Sequence, residues 1–468
     1  MRITIQAKIV SVFFALLALT ACGGGSTAAP SALITPTAGN SPASTLVSGI
    51  HTWTLLSGSE ASGATPDYGT EGVAAPSNNP GDRYGSASWV DGNGDLWVFS
   101  GSSASGTYPG DMWMYSPSTN EWTWESGTQA TDNAGVYGTK GSPAATNLPG
   151  GRTSSATWVD SQGRFWMFGG YGYSAQGAIS ALNDLWMYAP ATNEWTWEGG
   201  SDAVNTAGTY GTLGVPAAGN VPGARAGASA VIDSSGNVWL FGGAGYDSTD
   251  TNGFLNDLWK YTSATGQWTW ESGSDLASQS GIYGTQGVST SGNVPGGRSG
   301  GDLWLDTNGN LWVFGGNGYS ASSSTGFLND LWEFNPVTTQ WTWMSGAETA
   351  GAAGNYGTEY TPSASNIPGA RVAASAFVRN GVLWMFGGSV FSSGTEEMLG
   401  DLWQWNPATS EWTWAGGLDS PNAPDGSVPG GRDDATLWSS GGYVYLYGGF
   451  GRDQSGTLGG MNDVWRGS

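Results

Sequence analysis

The chain has 468 residues, of which 79 are Gly and 27 are Trp, and only 11% are charged. It contains one Cys and one His, so it can form no internal disulfide, no multi-thiolate metal site and no site built from several imidazoles. The formal net charge of −23 disfavours nucleic acid as a partner. Disordered chains are poor in aromatic residues, whereas abundant Gly and Trp are typical of many short strands joined by turns.

The N-terminus carries export features. Arg2 and Lys8 precede a short apolar run that ends in Leu19-Thr20-Ala21-Cys22. This pattern predicts a secretory signal peptide, because the run is too short to span a membrane comfortably. The last four residues resemble the lipobox of bacterial lipoproteins, in which cleavage before the cysteine is followed by acylation of that residue. The resemblance implies a signal peptide at 1–21, lipidation of Cys22 and a membrane anchor; the alternative is an ordinary signal peptide with a chance cysteine.

The residue after the cysteine indicates in which membrane such a lipoprotein is anchored. Gly23 stands where an aspartate would signal inner-membrane retention in Gram-negative lipoproteins, so the resemblance implies an exported lipoprotein of the bacterial outer membrane. Residues 22–50 are rich in Gly, Ser, Thr, Ala and Pro, which predicts a flexible tether.

Residues 51–468 are periodic. The tetrapeptide Pro-Gly-x-Arg recurs, and each copy starts a series of four short aromatic and β-branched segments bounded by turn residues, such as T-W-V-D, F-W-M-F-G-G, N-D-L-W-M-Y and E-W-T-W. Four antiparallel strands per unit predict an all-β fold, a six-bladed β-propeller. The predicted blades begin near residues 83, 152, 225, 298, 371 and 432.

The two ends of the periodic region are complementary. The sixth copy stops after its third strand, at Trp465-Arg466, whereas residues 51–56 form a fourth-type strand with no blade of their own. We expect this N-terminal strand to complete the last blade and close the ring without leaving a long unpaired edge.

The repeat resembles the kelch family. The residues that carry the resemblance are a glycine doublet such as Gly169-Gly170, the third-strand aromatic Tyr188 and the following Trp195. The units are longer than the usual ~50 residues, and the first copy has Ser100-Gly101 for the doublet. The family includes galactose oxidase, whose central domain is such a propeller, but one Cys and one His cannot supply its copper site. The sequence therefore predicts no metal and no cofactor.

Two connections in each blade are long, and we expect both to lie on one face, around the mouth of the central channel. Tyrosines are frequent there, and tyrosine gives large amphipathic contacts at small entropic cost. In the alternative, each Tyr of a Tyr-Gly-Thr unit anchors its own loop to the neighbouring blade. The candidate ligand-binding tyrosines are Tyr68, Tyr137, Tyr210, Tyr283 and Tyr356 of these units, and Tyr173, Tyr246 and Tyr319 after the doublets.

The arginines of the repeat are a second candidate site. Guanidinium groups around a channel mouth would bind a carboxylate, sulfate or phosphate. In the alternative, each arginine pairs with the aspartate that begins the third strand of its own blade. The arginines are Arg83, Arg152, Arg225, Arg298, Arg371 and Arg432, and the aspartates are Asp111, Asp184, Asp257, Asp330, Asp401 and Asp463.

Two short loops, which begin at Asp91 and Asp306, resemble the start of calcium loops. They lack the glycine and the glutamate that such loops need later, so we expect hairpin turns.

Three functions remain open. The first is a surface-anchored binding propeller that recognises a glycan or a protein through the long-loop face. The second is a metal-free carbohydrate enzyme, similar to an isomerase or epimerase, at the arginine mouth, with Asp302, Asp433 and Asp434 as the acids that depart from the repeat. The third is a structural component of the envelope. No catalytic residue is identified from the sequence.

Overall fold

The computed structural model describes residues 50–468 apart from 60, 380, 393 and 422–427. The predicted signal peptide, Cys22 and the tether up to residue 49 lie outside the described residues. Within the described ranges the regular structure is all β-strand, and no helix there is long and apolar enough to cross a membrane.

Six principal sheets each contain four antiparallel strands in a row. Sheet 1 consists of β2 (Ala87–Val90), β3 (Leu96–Phe99), β4 (Pro109–Ser116) and β5 (Glu121–Thr131). Sheet 2 consists of β7 (Ala156–Val159), β8 (Phe165–Tyr173), β9 (Ile179–Ala189) and β10 (Glu194–Gly199), with β6 (Arg152–Thr153) beside β8. Sheet 3 consists of β12 (Ser229–Ile232), β13 (Asn237–Phe241), β16 (Leu258–Thr262) and β17 (Gln267–Ser272).

The other three sheets repeat this order. Sheet 4 consists of β19 (Asp302–Leu305), β20 (Leu311–Phe314), β23 (Leu331–Asn335) and β24 (Gln340–Ser345). Sheet 5 consists of β25 (Ser375–Arg379), β26 (Val382–Phe386), β29 (Gly400–Asn406) and β30 (Glu411–Leu418). Sheet 6 consists of β32 (Thr436–Ser440), β33 (Tyr443–Tyr447), β36 (Val464–Gly467) and the N-terminal strand β1 (Trp53–Ser57), which pairs antiparallel with β36.

Small ribbons extend the connection between the second and third strands of four sheets. Each contains the two residues that follow the doublet and, in three cases, the repeat arginine. They are β11 (Arg225–Ala226), β14 (Ala244–Tyr246) and β15 (Asn252–Phe254); β18 (Arg298–Ser299), β21 (Asn317–Tyr319) and β22 (Thr325–Phe327); β27 (Ser389–Ser392) and β28 (Thr395–Met398); and β31 (Arg432–Asp433), β34 (Phe450–Arg452) and β35 (Leu458–Gly460).

The core lies between neighbouring sheets. The second strands are covered on both faces, as their uninterrupted apolar sequences predict: every residue of β20 is buried. Aromatic side chains fill the interfaces; in one of them Trp438 and Tyr445 of sheet 6 pack with Trp113 and Tyr115 of sheet 1. Most tryptophans are buried, and the half-buried ones all belong to outermost strands: Trp53, Trp124, Trp197, Trp270 and Trp414.

The first strands of the six sheets contact one another in sequence order, and β32 also contacts β2. The residue two places after each repeat arginine precedes its first strand and donates its backbone N–H to the equivalent carbonyl of the neighbouring sheet, at 2.8–3.0 Å. These six bonds return to their starting residue. Their order is Gly85, Asp434, Ala373, Gly300, Gly227 and Ser154, and all six residues have positive φ angles between 49° and 64°.

This conformation is strained for residues with a Cβ, such as Ala373. We expect Ala373→Gly to raise the free energy of unfolding by about 0.5–1 kcal/mol, because glycine adopts this backbone conformation without a steric penalty. The matched control is Ala376→Gly in the regular strand β25, which should lower it by a similar amount. Urea denaturation measures both, and a loss of stability in both variants would contradict the interpretation.

Candidate functional site

A buried carboxylate organises each repeat. In sheet 2, Arg152 donates to both oxygens of Asp184, with Nη1–Oδ1 and Nη2–Oδ2 distances of 2.7 and 2.8 Å. The Oδ2 atom also accepts the hydroxyl of Tyr137 at 2.5 Å and the indole N–H of Trp186 at 2.7 Å. One side chain thus joins the connection that precedes the sheet, the entry to the sheet and its third strand.

The same group of residues recurs around the chain. In all six repeats the arginine forms an ion pair with the aspartate at the start of the third strand, as expected in the alternative to ligand binding. Five sheets have all four members. These sets are Tyr68, Arg83, Asp111 and Trp113; Tyr137, Arg152, Asp184 and Trp186; Tyr210, Arg225, Asp257 and Trp259; Tyr283, Arg298, Asp330 and Trp332; and Tyr356, Arg371, Asp401 and Trp403. In sheet 6, Arg432 and Trp465 bind Asp463.

The charges in these groups are removed from water. Arg298 is 1% exposed and Asp330 is fully buried. Burial alone would raise the pKa of the Asp330 carboxyl, but the Arg298 charge and the hydrogen bonds from Arg298, Tyr283 and Trp332 lower it below its ordinary value. Such a pair is tolerated because nearly every donor and acceptor is satisfied.

The arginines have little capacity left for a ligand. Besides its two bonds to aspartate, Arg298 donates Nε–H to the carbonyl of Gly296 and Nη1–H to that of Gly315, the first glycine of the doublet. Four of its five N–H groups are therefore bound within the protein. Of the tyrosines in the same groups, Tyr137, Tyr210 and Tyr283 are buried. Ligand binding by these arginines and tyrosines stays a prediction.

The long Tyr-Gly-Thr connections lie elsewhere than expected. Gly141 donates its N–H to the carbonyl of Trp197 at 2.8 Å, Ala144 bridges to Trp195, and the Asn147 amide donates to the Trp195 carbonyl at 2.9 Å. The segment thus runs along the outermost strand of the following sheet. The expectation that both long connections crowd the channel mouth is corrected for this one, because its backbone covers a strand edge.

The other long connection forms the hairpins beside the arginines. Tyr173, Tyr246 and Tyr319 lie on them and are half-buried. The residue after each repeat arginine pairs with the residue after the doublet. These pairs contain no aromatic and no charged residue in sheets 3–5: Ala226 with Ala244, Ser299 with Asn317, and Val372 with Ser389. In sheets 6, 1 and 2 they are Asp433 with Phe450, Tyr84 with Ser102, and Thr153 with Tyr171.

Aromatic rings contact one another on the second of these sides, as Phe254 and Tyr319 also do between the hairpins of sheets 3 and 4. The ring centroids of Tyr84 and Phe450 are 5.2 Å apart, and Tyr108 lies 6.3 Å from Tyr171 and 6.2 Å from Tyr173. All five rings on this side are half-buried. With the neighbouring carboxyl groups of Asp433 and Asp434 we call these residues the aromatic–acidic wall. Asp433, Asp434 and Tyr173 were candidates from the sequence, whereas Tyr84 and Tyr108 were not. For Tyr84 the available signal was its departure from the repeat directly after Arg83.

The carboxyl groups here hold protons more tightly than usual. Burial, together with repulsion from Glu396, raises the pKa of Asp434 to about 6. Burial, Asp434 and Glu396 also raise the pKa of Asp433, which is 6% exposed. Burial raises the pKa of Asp302, at the start of β19, to about 8, although the Arg371 charge opposes the shift. The acids that depart from the repeat thus all have strongly raised pKa values.

In the described part of the chain, no three His, Cys, Asp or Glu residues are placed to hold a metal ion. Asp306 accepts the backbone N–H groups of Asn308 and Asn310 and the indole N–H of Trp312. Asp91 binds its own turn in the same way. The expectation of hairpin turns at these positions is confirmed.

Comparison with known families agrees with the repeat geometry. The family described as the KLHDC2/KLHL20/DRC7 Kelch-repeats domain matches residues 204–353, which include the complete groups around Asp257 and Asp330. This segment consists of kelch repeats. A search of curated proteins gave no match. Kelch repeats generally mediate protein–protein interaction.

The tyrosine hydroxyls should be structural. We expect Tyr210→Phe to lower the free energy of unfolding by about 2 kcal/mol, because a hydrogen bond to a buried charged group is lost. Tyr246→Phe, on a half-buried hairpin position, is the matched control and should change stability by less than about 0.5 kcal/mol. Denaturant titration measures both, and equal effects would contradict a structural role for the buried hydroxyl.

Asp302 should make stability depend on pH. Its pKa is about 8 in the folded chain and about 4 when unfolded. Between these values only the folded state keeps the proton, so stability falls as pH rises through this window. We expect Asp302→Asn to remove this fall. The melting temperature of the variant relative to that of the parent protein should therefore increase from pH 4 to pH 8. A difference in melting temperature between variant and parent that stays constant from pH 4 to pH 8 would contradict the assignment.

Proposed function

We propose that the six sheets are the blades of one closed kelch propeller spanning residues 51–468. Three observations support this: β1 pairs with β36, the first strands contact one another back to the starting sheet, and six backbone hydrogen bonds form a closed series. The blade order follows the repeat arginines, and the N-terminal strand completes the last blade.

This propeller serves as a binding module held at the surface of the bacterial outer membrane by an acylated Cys22 and the tether 22–50. The support is the basic start, the apolar run and the single cysteine at its end. A flexible tether would let a rigid ring reach ligands at a distance from the bilayer.

The binding surface is the channel mouth at the aromatic–acidic wall. The observation that carries this assignment is an asymmetry at the position after the repeat arginine: Tyr84 and Asp433 occupy it on one side, whereas in sheets 3–5 it holds the small or apolar residues Ala226, Ser299 and Val372. Half-buried aromatic rings beside carboxyl groups are suited to a partner's apolar and cationic or hydroxyl groups. A protein ligand is favoured because kelch repeats generally mediate protein–protein interaction; a glycan is the other outcome of the test.

A metal-free carbohydrate enzyme is the second candidate. It is favoured by the raised pKa values of Asp302 and Asp434, about 8 and about 6, since a carboxyl group whose pKa lies near the operating pH can act as a general acid or base. Unchanged turnover in Asp302→Asn and Asp434→Asn would exclude this function.

Substitution of residues in the aromatic–acidic wall should weaken binding without unfolding the propeller. We expect Tyr108→Ala and Tyr171→Ala each to weaken binding at least tenfold, in line with the ~2 kcal/mol or more that central aromatic contacts contribute. Envelope-protein pull-down and glycan arrays measure this. Tyr246→Ala, on the equivalent hairpin of sheet 3, is the control; equal losses in all three variants, or no loss in the first two, would contradict the proposed surface.

A further inference from the structure

Three tyrosines and one aspartate meet between the hairpins of sheets 1 and 2. The ring centroid of Tyr108 lies 6.3 Å from that of Tyr171 and 6.2 Å from that of Tyr173. Asp132 accepts the backbone N–H of Tyr108 with Oδ1 at 2.9 Å and donates its own N–H to the Tyr108 carbonyl at 2.8 Å. Burial, the Asp132 charge and a hydrogen bond to Asp132 raise the pKa of the Tyr173 hydroxyl. We call these four residues the tyrosine–aspartate cluster.

A recurring hydrogen bond identifies the equivalent positions in other sheets. In four sheets, the residue five places before the Tyr of the following Tyr-Gly-Thr or Tyr-Gly repeat has a φ angle between 59° and 74° and donates its N–H to a carbonyl of the hairpin at 2.7–2.8 Å. Only the pair of sheet 1 combines a carboxyl group with a tyrosine. The four pairs are Asp132 with Tyr108, Asn205 with Ala181, Ser278 with Phe254, and Gly351 with Phe327.

The hairpin of the following sheet adds to this difference. Tyr171 and Tyr173 of sheet 2 face Tyr108, whereas the equivalents of Tyr171 in sheets 3 and 4 are Ala244 and Asn317. Three rings and a carboxyl group therefore come together between sheets 1 and 2. The same positions between sheets 2 and 3, 3 and 4, and 4 and 5 hold one or two rings and no carboxyl group. The cluster lies within the continuously described range 61–379.

The chain surrounds two of its own cations with this combination of groups. The Arg164 guanidinium lies 5.6 Å from the ring centroid of Trp166 and donates to the Asp160 carboxylate at 2.7 Å. A similar arrangement surrounds Lys260, with a tryptophan ring at 5.2 Å and the Glu271 carboxylate at 2.5 Å. The face of an aromatic ring attracts a cation, and a carboxylate beside the ring adds a charge-assisted hydrogen bond.

The tyrosine–aspartate cluster has the rings and the carboxylate but no cation of the chain itself. Among the described residues, the cation–π contacts lie elsewhere, and no Lys or Arg forms an ion pair with Asp132. Asp132 is exposed, so a partner can reach its carboxylate. The net charge of −23 favours the approach of a basic partner and disfavours a second copy of this chain.

We propose that the tyrosine–aspartate cluster binds an arginine side chain of a protein partner. The inference rests on the proposed function of the aromatic–acidic wall and names the group that this surface recognises. The guanidinium group stacks on the tyrosine rings and donates to the carboxylate of Asp132. Arginine is favoured over lysine because a planar guanidinium group stacks on a ring and binds a carboxylate at the same time.

The probe is a fluorescein-labelled Gly/Ser peptide in which every third residue is arginine. We expect saturable binding to the full chain in detergent, measured by fluorescence anisotropy. The same peptide with citrulline for arginine should bind about tenfold more weakly or less, because citrulline keeps the shape of the side chain and lacks its charge. A peptide with lysine should also bind more weakly than the arginine peptide. Absence of saturable binding, or equal binding of the citrulline or the lysine peptide, would overturn the proposal.

Asp132→Asn tests the carboxylate without a change of backbone, because Asn205 has the same conformation at the equivalent position. It should weaken binding of the arginine peptide about tenfold, the factor for one charge-assisted hydrogen bond. The matched control is Asp275→Asn, which removes one charge after the outermost strand of sheet 3 and should leave the affinity unchanged. Equal losses in both variants would show attraction by net charge without a specific site and would overturn the proposal.

Tyr108 tests the ring. Tyr108→Phe keeps it, and Phe254 occupies the equivalent position in sheet 3, so binding of the arginine peptide should be retained. Tyr108→Ala removes the ring, and Ala181 shows that the fold accepts alanine there; binding should be lost. Equal affinity of the two variants would overturn the contribution of the ring.

The pull-down of envelope proteins separates this inference from the proposed function. A protein whose capture is lost in Tyr108→Ala but kept in Asp132→Asn would leave the binding surface in place and overturn the recognition of arginine. Capture that is unaffected by both Tyr108→Ala and Tyr171→Ala would contradict the proposed function, whereas the peptide titration still decides whether the cluster binds arginine.

Discussion

The hydrogen bonds to the buried aspartate of each repeat are the interaction on which the rest of the structure depends. Asp184 accepts four hydrogen bonds from Arg152, Tyr137 and Trp186, which come from three separate segments. An unpaired carboxylate at this depth would be very costly. The requirement to satisfy it therefore positions the preceding connection, the strand entry and the third strand together. Because the same requirement recurs in every sheet, the geometry repeats although loops and hairpins vary.

This arrangement separates stability from recognition. The recurring polar residues of the repeat are bound to one another, so under the proposed function recognition falls to the positions that differ between repeats. Tyr84 and Asp433 occupy a position that holds Ala226 in sheet 3 and Val372 in sheet 5. Departure from the repeat is thus the better indicator of function, because regular positions already have structural partners.

The outer edges of the sheets are also covered by a recurring set of contacts. An exposed outer strand invites pairing with other chains, and five sheets prevent it with a backbone segment that would otherwise be a long loop. The sixth sheet is built from both ends of the repeat region, and the connection before it lacks the covering sequence. Sheet 6 therefore differs from the other five sheets in the sequence of the connection before it as well as in its connectivity.

Much of the architecture could be predicted from the sequence, because four-residue aromatic segments between turn residues leave few alternatives to short antiparallel strands. The ion pair between Arg152 and Asp184 was foreseen as one of two alternatives, and the structure contains it. The contact of Tyr137 with the following sheet was also foreseen as an alternative. The path of its connection could not be predicted, since loop length does not say whether a segment rises over one end of the sheets or lies along a strand edge. The aromatic–acidic wall also required the tertiary structure, because Tyr108 and Tyr171 belong to different sheets and meet only through packing. By itself the sequence determined the strands and the ion-pairing residues, which are local and periodic. The tertiary structure decided which side chains meet in the aromatic–acidic wall and that the Tyr-Gly-Thr connections lie along strand edges, because both depend on contacts between distant segments.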